Sequence, residues 1–118
     1  MPTEPTHAAL VWQQEALAQQ IESTALWRAQ RSLDHPAQER NDRASALLSD
    51  LAVHVSQLEA EHGLFDALYA TGDDLRASEI VSERLWRYGF DNEIDPAVFV
   101  DALAAELTTL RETSESSE

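Results

Sequence analysis

A single row of residues in the middle of the chain constrains its fold more than any other feature. Successive members are separated by four or three positions without a miss, and all but one are apolar: Ala44, Leu48, Leu51, Val55, Leu58, His62, Phe65 and Tyr69. Such steps keep side chains on one face of an α-helix. The row, called here the 44–69 seam, predicts a helix packed lengthwise against other helices, with a histidine among its apolar residues.

Helix start and stop signals divide the chain into four predicted helices, over about 7–32, 36–70 and 74–88 and from 96 onward. At ~1.5 Å per residue, the second would be about 52 Å long, and Gly63 is its expected point of bending or breaking. We therefore expect an all-α fold, a small bundle of about four helices with one long central helix, assembled as a homodimer. The domain is predicted over 7–112, between a flexible lead-in of residues 1–6 and a disordered acidic tail of residues 113–118.

Local residue chemistry predicts several helix ends. Thr6 is a candidate N-cap of the first helix, and Asp73-Asp74 offers one for the third. Gly72 and Gly89 suit the left-handed position that follows a helix. Asp95-Pro96 combines a capping acid with a proline at the first helical position, which is the strongest start signal in the chain.

Composition excludes several classes of protein. The chain has 118 residues, no cysteine and no lysine, so thiolate metal sites, thiol nucleophiles, Schiff-base chemistry and a Walker A loop are ruled out. Arginine without lysine, among many alanines, is typical of a high-GC bacterial genome. No apolar run approaches the roughly 18 residues of a membrane span, and the N-terminus does not resemble a signal peptide. We expect a cytoplasmic protein that does not bind membranes.

The net charge of −14 is distributed unevenly. Residues 1–58 carry seven acids and four arginines, whereas residues 59–118 carry fifteen acids and four arginines. Such acidity disfavours direct binding to nucleic acid or to an anionic membrane, because both require cationic surfaces. It permits the opposite role, that of an acidic decoy that occupies a basic nucleic-acid-binding protein. Solubility alone would also explain it.

The first predicted helix has a second apolar face. Trp12 and Trp27 lie roughly opposite its main apolar stripe, with Ala16 between them and Leu26 beside them. Two explanations remain open at this point. The helix is either buried centrally within the monomer, or this face is an interface with an identical chain or another protein.

A second candidate for recognition lies near the end of the third predicted helix. Arg84, Trp86 and Arg87 belong to residue types that dominate binding hot spots. The alternative is the end of a core helix whose arginines pair with neighbouring acids.

The histidine of the seam permits one metal hypothesis. Glu59 and His62 form a Glu-x-x-His step, which in ferritin-like di-iron bundles places both ligands on one helical face. Such a site needs a second step and two further glutamates, and this chain has one step. Only a dimer could double the ligands, bringing His54, Glu61 and His62 beside their symmetry mates. Otherwise His62 is a seam histidine that fixes helix register, and we predict no metal and no cofactor.

No arrangement of residues predicts catalysis. The sequence has three glycines and no Gly-x-Ser-x-Gly elbow or phosphate-binding loop, so we predict that the protein is not an enzyme. The sequence favours a non-catalytic protein-interaction module, an adaptor, accessory or regulatory subunit that acts through its Trp-bearing helix face. The expected partners are a second copy and another protein. The alternatives are the acidic decoy and the metal-binding bundle.

Overall fold

The computed structural model of the chain describes residues 5–34, 39–72, 74–89 and 94–116. These residues form five helices: α1 His7–Asp34, α2 Glu39–Ser56, α3 Gly63–Ala70, α4 Leu75–Arg87 and α5 Pro96–Ser116. No β-strand occurs within the described ranges. The all-α prediction is confirmed, whereas the helices number five where four were expected.

The core forms between an α1–α2 hairpin and the three later helices. Ser45 Oγ of α2 donates to the Ala25 carbonyl of α1 at 2.8 Å, and Gln14 of α1 contacts the end of α2, so these helices are antiparallel. Helix α5 packs on α3 and α4 from the other side. The largest fully buried side chains come from all five helices and the α4–α5 connection: Tyr88, Phe65, Ile21, Leu48, Leu51, Leu64, Leu85, Leu103, Leu107, Val55 and Val100.

The predicted long central helix is wrong, because α2 ends at Ser56 and the chain turns before α3 begins. The side-chain amide of Gln14 donates to the carbonyls of Val55 at 2.8 Å and Leu58 at 2.7 Å. These bonds satisfy carbonyls that a continuing helix would have paired with its own N–H groups. The break falls immediately before Gly63, close to where the sequence allowed one.

His62 lies at the N-cap of α3 and not in the seam of a continuous helix. Its Nδ1 accepts a hydrogen bond from the Leu64 N–H at 3.1 Å, which satisfies one of the unpaired donors of the first turn. The interpretation of His62 as a register-setting seam residue is therefore wrong. The α2 part of the seam is fully buried as predicted, but Tyr69 at its far end is 41% exposed.

Most of the predicted helix ends are confirmed. Thr6 Oγ1 accepts from the Ala9 N–H at 3.1 Å, and the carboxylates of Asp74 and Asp95 cap α4 and α5. Gly89 has a φ of +93°, the only positive φ among the described glycines. Gly72 does not adopt the predicted left-handed conformation, because α3 is instead closed by Thr71, whose N–H and hydroxyl both donate to the Ala67 carbonyl.

Predictions for the chain ends fall partly outside the described residues. Outside them lie residues 1–4 of the lead-in and residues 117–118 of the tail. The connection between the first two helices at residues 35–38, and the capping candidate Asp73, also lie outside them. Helix α5 extends to Ser116, past the expected domain end at residue 112. The Thr113 hydroxyl donates to the Thr109 carbonyl at 2.9 Å within this last part.

Candidate interaction surface

The second apolar face of α1 remains in water. The helix buries its opposite side, where Leu17, Ile21 and Ala25 are at most 3% exposed. Trp12 and Trp27 are 64% and 41% exposed. The explanation that the first helix is buried on all sides within the monomer is therefore wrong.

Trp27 of α1 and Trp86 of α4 form an edge-to-face pair. Their ring centroids are 4.7 Å apart and the ring planes meet at 78°, an arrangement that the ring quadrupoles favour. Trp86 is 48% exposed, so the pair remains open to solvent on its outer side. The contact between Trp27 and Trp86 thus joins the two candidate clusters of the sequence. We call this pair, together with Trp12, the tryptophan surface.

Arg28 fixes the geometry of this pair from beneath. Its guanidinium lies 4.6 Å from the Trp86 ring centroid and 5.1 Å from that of Trp27. The same group donates to the Trp86 carbonyl at 3.0 Å and to the Asn41 side-chain oxygen at 3.2 Å. Burial, reinforced by the positive charge of Arg31, lowers the pKa of Arg28. Arg28 therefore ties together α1, α2 and α4 beside the exposed rings.

Sequence reasoning missed Arg28 and Arg31. Arg31 places its guanidinium 5.5 Å from the Trp27 ring centroid. The available signal was the i+1 and i+4 spacing of these arginines from Trp27 on one helix, since i+4 residues share a face. The contacts of Arg28 with Asn41 and Trp86 are non-local and had no sequence signal.

Arg84 and Arg87, the other two candidates on α4, have different surroundings. Arg84 has a side chain only 18% exposed and forms a salt bridge with Glu106 of α5, so its visible role is to join α4 to α5. Arg87 is exposed next to Trp86. Of the three residues, Trp86 contributes most directly to the surface.

A small cavity lies between α1 and the α3–α4 connection. It has a volume of about 140 Å³ and is lined by residues such as Gln13, Gln20, Leu68, Thr71 and Ser78. Pockets that bind drug-sized ligands usually measure about 300–1,000 Å³. The cavity is too small for such a ligand, and its mixed lining offers no group of titratable residues for chemistry.

The four metal-ligand candidates are dispersed. His54 is half-buried in the last turn of α2 and Glu59 is exposed in the turn that follows. Glu61 accepts a hydrogen bond from His7 Nδ1 at 2.7 Å, which lowers the pKa of Glu61, and His62 caps α3. Within the part of the chain that the structure describes, no group of three potential ligands could hold a metal ion. Nor does any helix there have the length and apolarity needed to cross a membrane.

Comparison with protein-family models, with characterised proteins and with solved structures finds no match to this chain.

Proposed function

We propose that this protein is a non-catalytic interaction module that binds other protein surfaces through its tryptophan surface. The observation that carries the proposal is the Trp27–Trp86 pair, which is about half exposed and yet held in one geometry. Side chains ordered before binding lose less conformational entropy when a partner docks. Tryptophan and arginine are also the residues most enriched among binding hot spots.

The amount of exposed aromatic surface supports this role. A fully exposed tryptophan side chain presents about 250 Å², and all three tryptophans of the chain are between 41% and 64% exposed. Tryptophan is highly buried in most folded proteins. Exposing part of every tryptophan to water raises the free energy of the monomer. A partner that covers these side chains would remove that cost.

The test is to immobilise the purified protein and compare what it captures from a native bacterial lysate with what a Trp27→Ala/Trp86→Ala variant captures. A matched control is Val53→Ala, because Val53 is 53% exposed on α2 and outside the tryptophan surface. We expect proteins that the wild type and the control retain and the double variant loses. Circular dichroism must first show that the variants keep their helix content.

Two outcomes would contradict the proposal. Identical captured proteins for all three forms, together with a monomeric wild type, would show that the tryptophan surface recognises neither another protein nor a second copy. Captured proteins that are basic, insensitive to the tryptophan changes and released at about 0.5 M salt would instead favour the acidic decoy, because salt screens charge-driven association.

A further inference from the structure

The outward face of α1 reads nearly the same in both directions. Its residues form three pairs whose numbers are symmetric about the point between Gln19 and Gln20: Trp12 with Trp27, Ala16 with Ser23, and Gln19 with Gln20. Every position of this row is exposed except Ala16, which is half-buried. The steps along this row are 4, 3, 1, 3 and 4. At 3.6 residues per turn the six positions share one sector of about 100°, directed away from the buried face of Leu17 and Ile21.

Such symmetry suits the pairing of two identical helices. In an antiparallel pair related by a two-fold axis, residue i of one copy meets residue j of the other, and residue j meets residue i. A row whose paired members are alike therefore places tryptophan against tryptophan, small residue against small residue and glutamine against glutamine. Small Ala16 and Ser23 near the centre allow close approach of the helix axes. The tryptophans then occupy both ends, about 22 Å apart along the helix at ~1.5 Å per residue.

We propose that the tryptophan surface is the contact between two copies of this chain. The two α1 helices pair antiparallel about an axis between Gln19 and Gln20, and Trp12 of each copy packs against the Trp27–Trp86 pair of the other. This inference rests on the proposed interaction function and names the partner as a second copy. It uses all three tryptophans of the chain.

The area available is sufficient for a specific contact. With ~250 Å² for each fully exposed side chain, exposed fractions of 64%, 41% and 48% leave about 380 Å² of tryptophan surface per copy and about 760 Å² in the pair. Specific interfaces bury at least about 1,000 Å² in total. The row between the tryptophans supplies the remainder, which places the dimer near the lower limit, with dissociation on the order of micromolar.

Charge permits self-association through this face. Each copy carries a net charge of −14, so two copies repel one another overall. The symmetric row contains no charged residue, α1 has three acids against two arginines, and α4, which carries Trp86, has two acids against three arginines. The two helices of the tryptophan surface are therefore neutral together, and two copies meet there with little repulsion. Salt should strengthen the dimer by screening the remaining repulsion, whereas it would weaken a complex with an oppositely charged partner.

Disulfide trapping tests the register directly, since the chain has no cysteine of its own. In the proposed pair Ala16 faces Ser23 of the other copy, whereas the two Ala16 positions are separated by about 10 Å along the helices. A disulfide requires Cα atoms within about 7 Å. An equimolar mixture of Ala16→Cys and Ser23→Cys proteins should therefore form the mixed disulfide at least fivefold faster than either variant forms a disulfide alone. Equal rates for mixed and unmixed pairs would overturn the register.

Light scattering on a sizing column tests the dimer itself. We expect the wild type to change from dimer to monomer mass on dilution through the micromolar range, and the dimer to persist to lower concentration in about 0.5 M salt. Ser23→Glu should remain monomeric at concentrations where the matched control Ser49→Glu, at a serine on α2 that is also exposed, behaves like the wild type. A wild-type protein that is monomeric up to millimolar concentration, or an equal effect of both glutamates, would overturn the dimer.

The two proposals fail separately. A monomeric wild type whose captured partners still depend on Trp27 and Trp86 would overturn the dimer and leave the interaction function standing. A monomer without tryptophan-dependent capture would overturn both.

Discussion

Among the three glycines, Gly89 is the position where an added methyl group should damage the fold most. It follows α4 with a φ of +93°, a backbone conformation that side chains with a Cβ rarely adopt. A Cβ built at this position would lie 2.7 Å from Ala44 Cα and 2.9 Å from Ala44 Cβ. The end of α4 thus approaches α2 so closely that Gly89→Ala creates both backbone strain and a steric clash.

The expected loss follows from these two effects. A left-handed conformation costs a non-glycine residue about 1–2 kcal/mol, and overpacking of a close contact costs about 1–3 kcal/mol. Together they predict that Gly89→Ala lowers the free energy of unfolding by about 2–5 kcal/mol. A domain of this size is stable by only about 5–15 kcal/mol, so the change removes a large fraction of the total.

Urea denaturation followed by circular dichroism measures this loss. With an m-value of about 1–3 kcal/mol/M, the midpoint should fall by at least about 0.7 M. Gly63→Ala is the matched control, because a Cβ at Gly63 would meet nothing within 4 Å and φ is not positive there. Its stability should stay the same or rise by up to about 1 kcal/mol. If Gly89→Ala and Gly63→Ala unfold within about 0.5 kcal/mol of each other, the close approach of α4 to α2 is wrong.

Three further predictions concern titratable side chains. His62→Leu should cost about 1 kcal/mol by urea denaturation because it removes the N-cap of α3, whereas His62→Asn should retain most of that stability; equal losses would contradict the capping role. The Tyr88 hydroxyl is buried and lacks a partner among the described residues, and its burial, with the charges of Asp95 and Asp50, raises the Tyr88 pKa from 10.0 to about 12. Because the fold favours the neutral phenol, the contribution of Tyr88 to stability should be complete below pH 10 and fall by up to about 3 kcal/mol as the pH rises to about 12. In thermal melts, Tyr88→Phe should remove this fall. A fall that persists in Tyr88→Phe would contradict the assignment to Tyr88. The pKa of Glu61 is lowered below its ordinary value of 4.5 by its hydrogen bond with His7. The small stability that it contributes should therefore be present above that value and be lost as the pH falls below it, and Glu61→Gln should unfold with a flatter acid profile than the wild type.

The helix boundaries that could be predicted from sequence are those set by neighbouring residues. The caps at Asp74 and Asp95 and the positive φ of Gly89 depend on contacts within a few residues, so local chemistry was sufficient. The end of α2 was not predictable in this way. It is held by the Gln14 side chain, 41 residues away in sequence from the Val55 carbonyl that it binds.

The 44–69 seam misled because its spacing continues across a turn. Val55 belongs to α2 and Phe65 to α3, yet both are fully buried in the same core. Leu58 packs against that core from the connection between the helices. A spacing of three and four indicates that residues face a common interior, but those residues need not all belong to one helix.

The components of the tryptophan surface were visible in the sequence, but their assembly was not. Trp27 stood out because it lies opposite the apolar stripe of its helix, and Trp86 because it belongs to a cluster of hot-spot residue types; both are exposed. Their contact depends on how α4 packs against α1. Arg28 contacts both rings of the Trp27–Trp86 pair. Nothing in the sequence indicated this role, because its partner Asn41 lies on a different helix.

The acidity of the chain and its exposed tryptophans are better explained together than separately. A net charge of −14 makes most encounters between two copies repulsive, and a small domain with three exposed tryptophans would otherwise be prone to non-specific association. The second half of the chain carries fifteen of the twenty-two acids, whereas α1 is almost neutral. Repulsion therefore disfavours contacts through α5, which has four acids against one arginine, whereas the tryptophan surface lies on α1 and α4, which are neutral together. If this division of charge selects the proposed contact, a variant with neutralised α5 acids should associate even when Ser23→Glu is present, and a variant that stays monomeric would refute the reasoning.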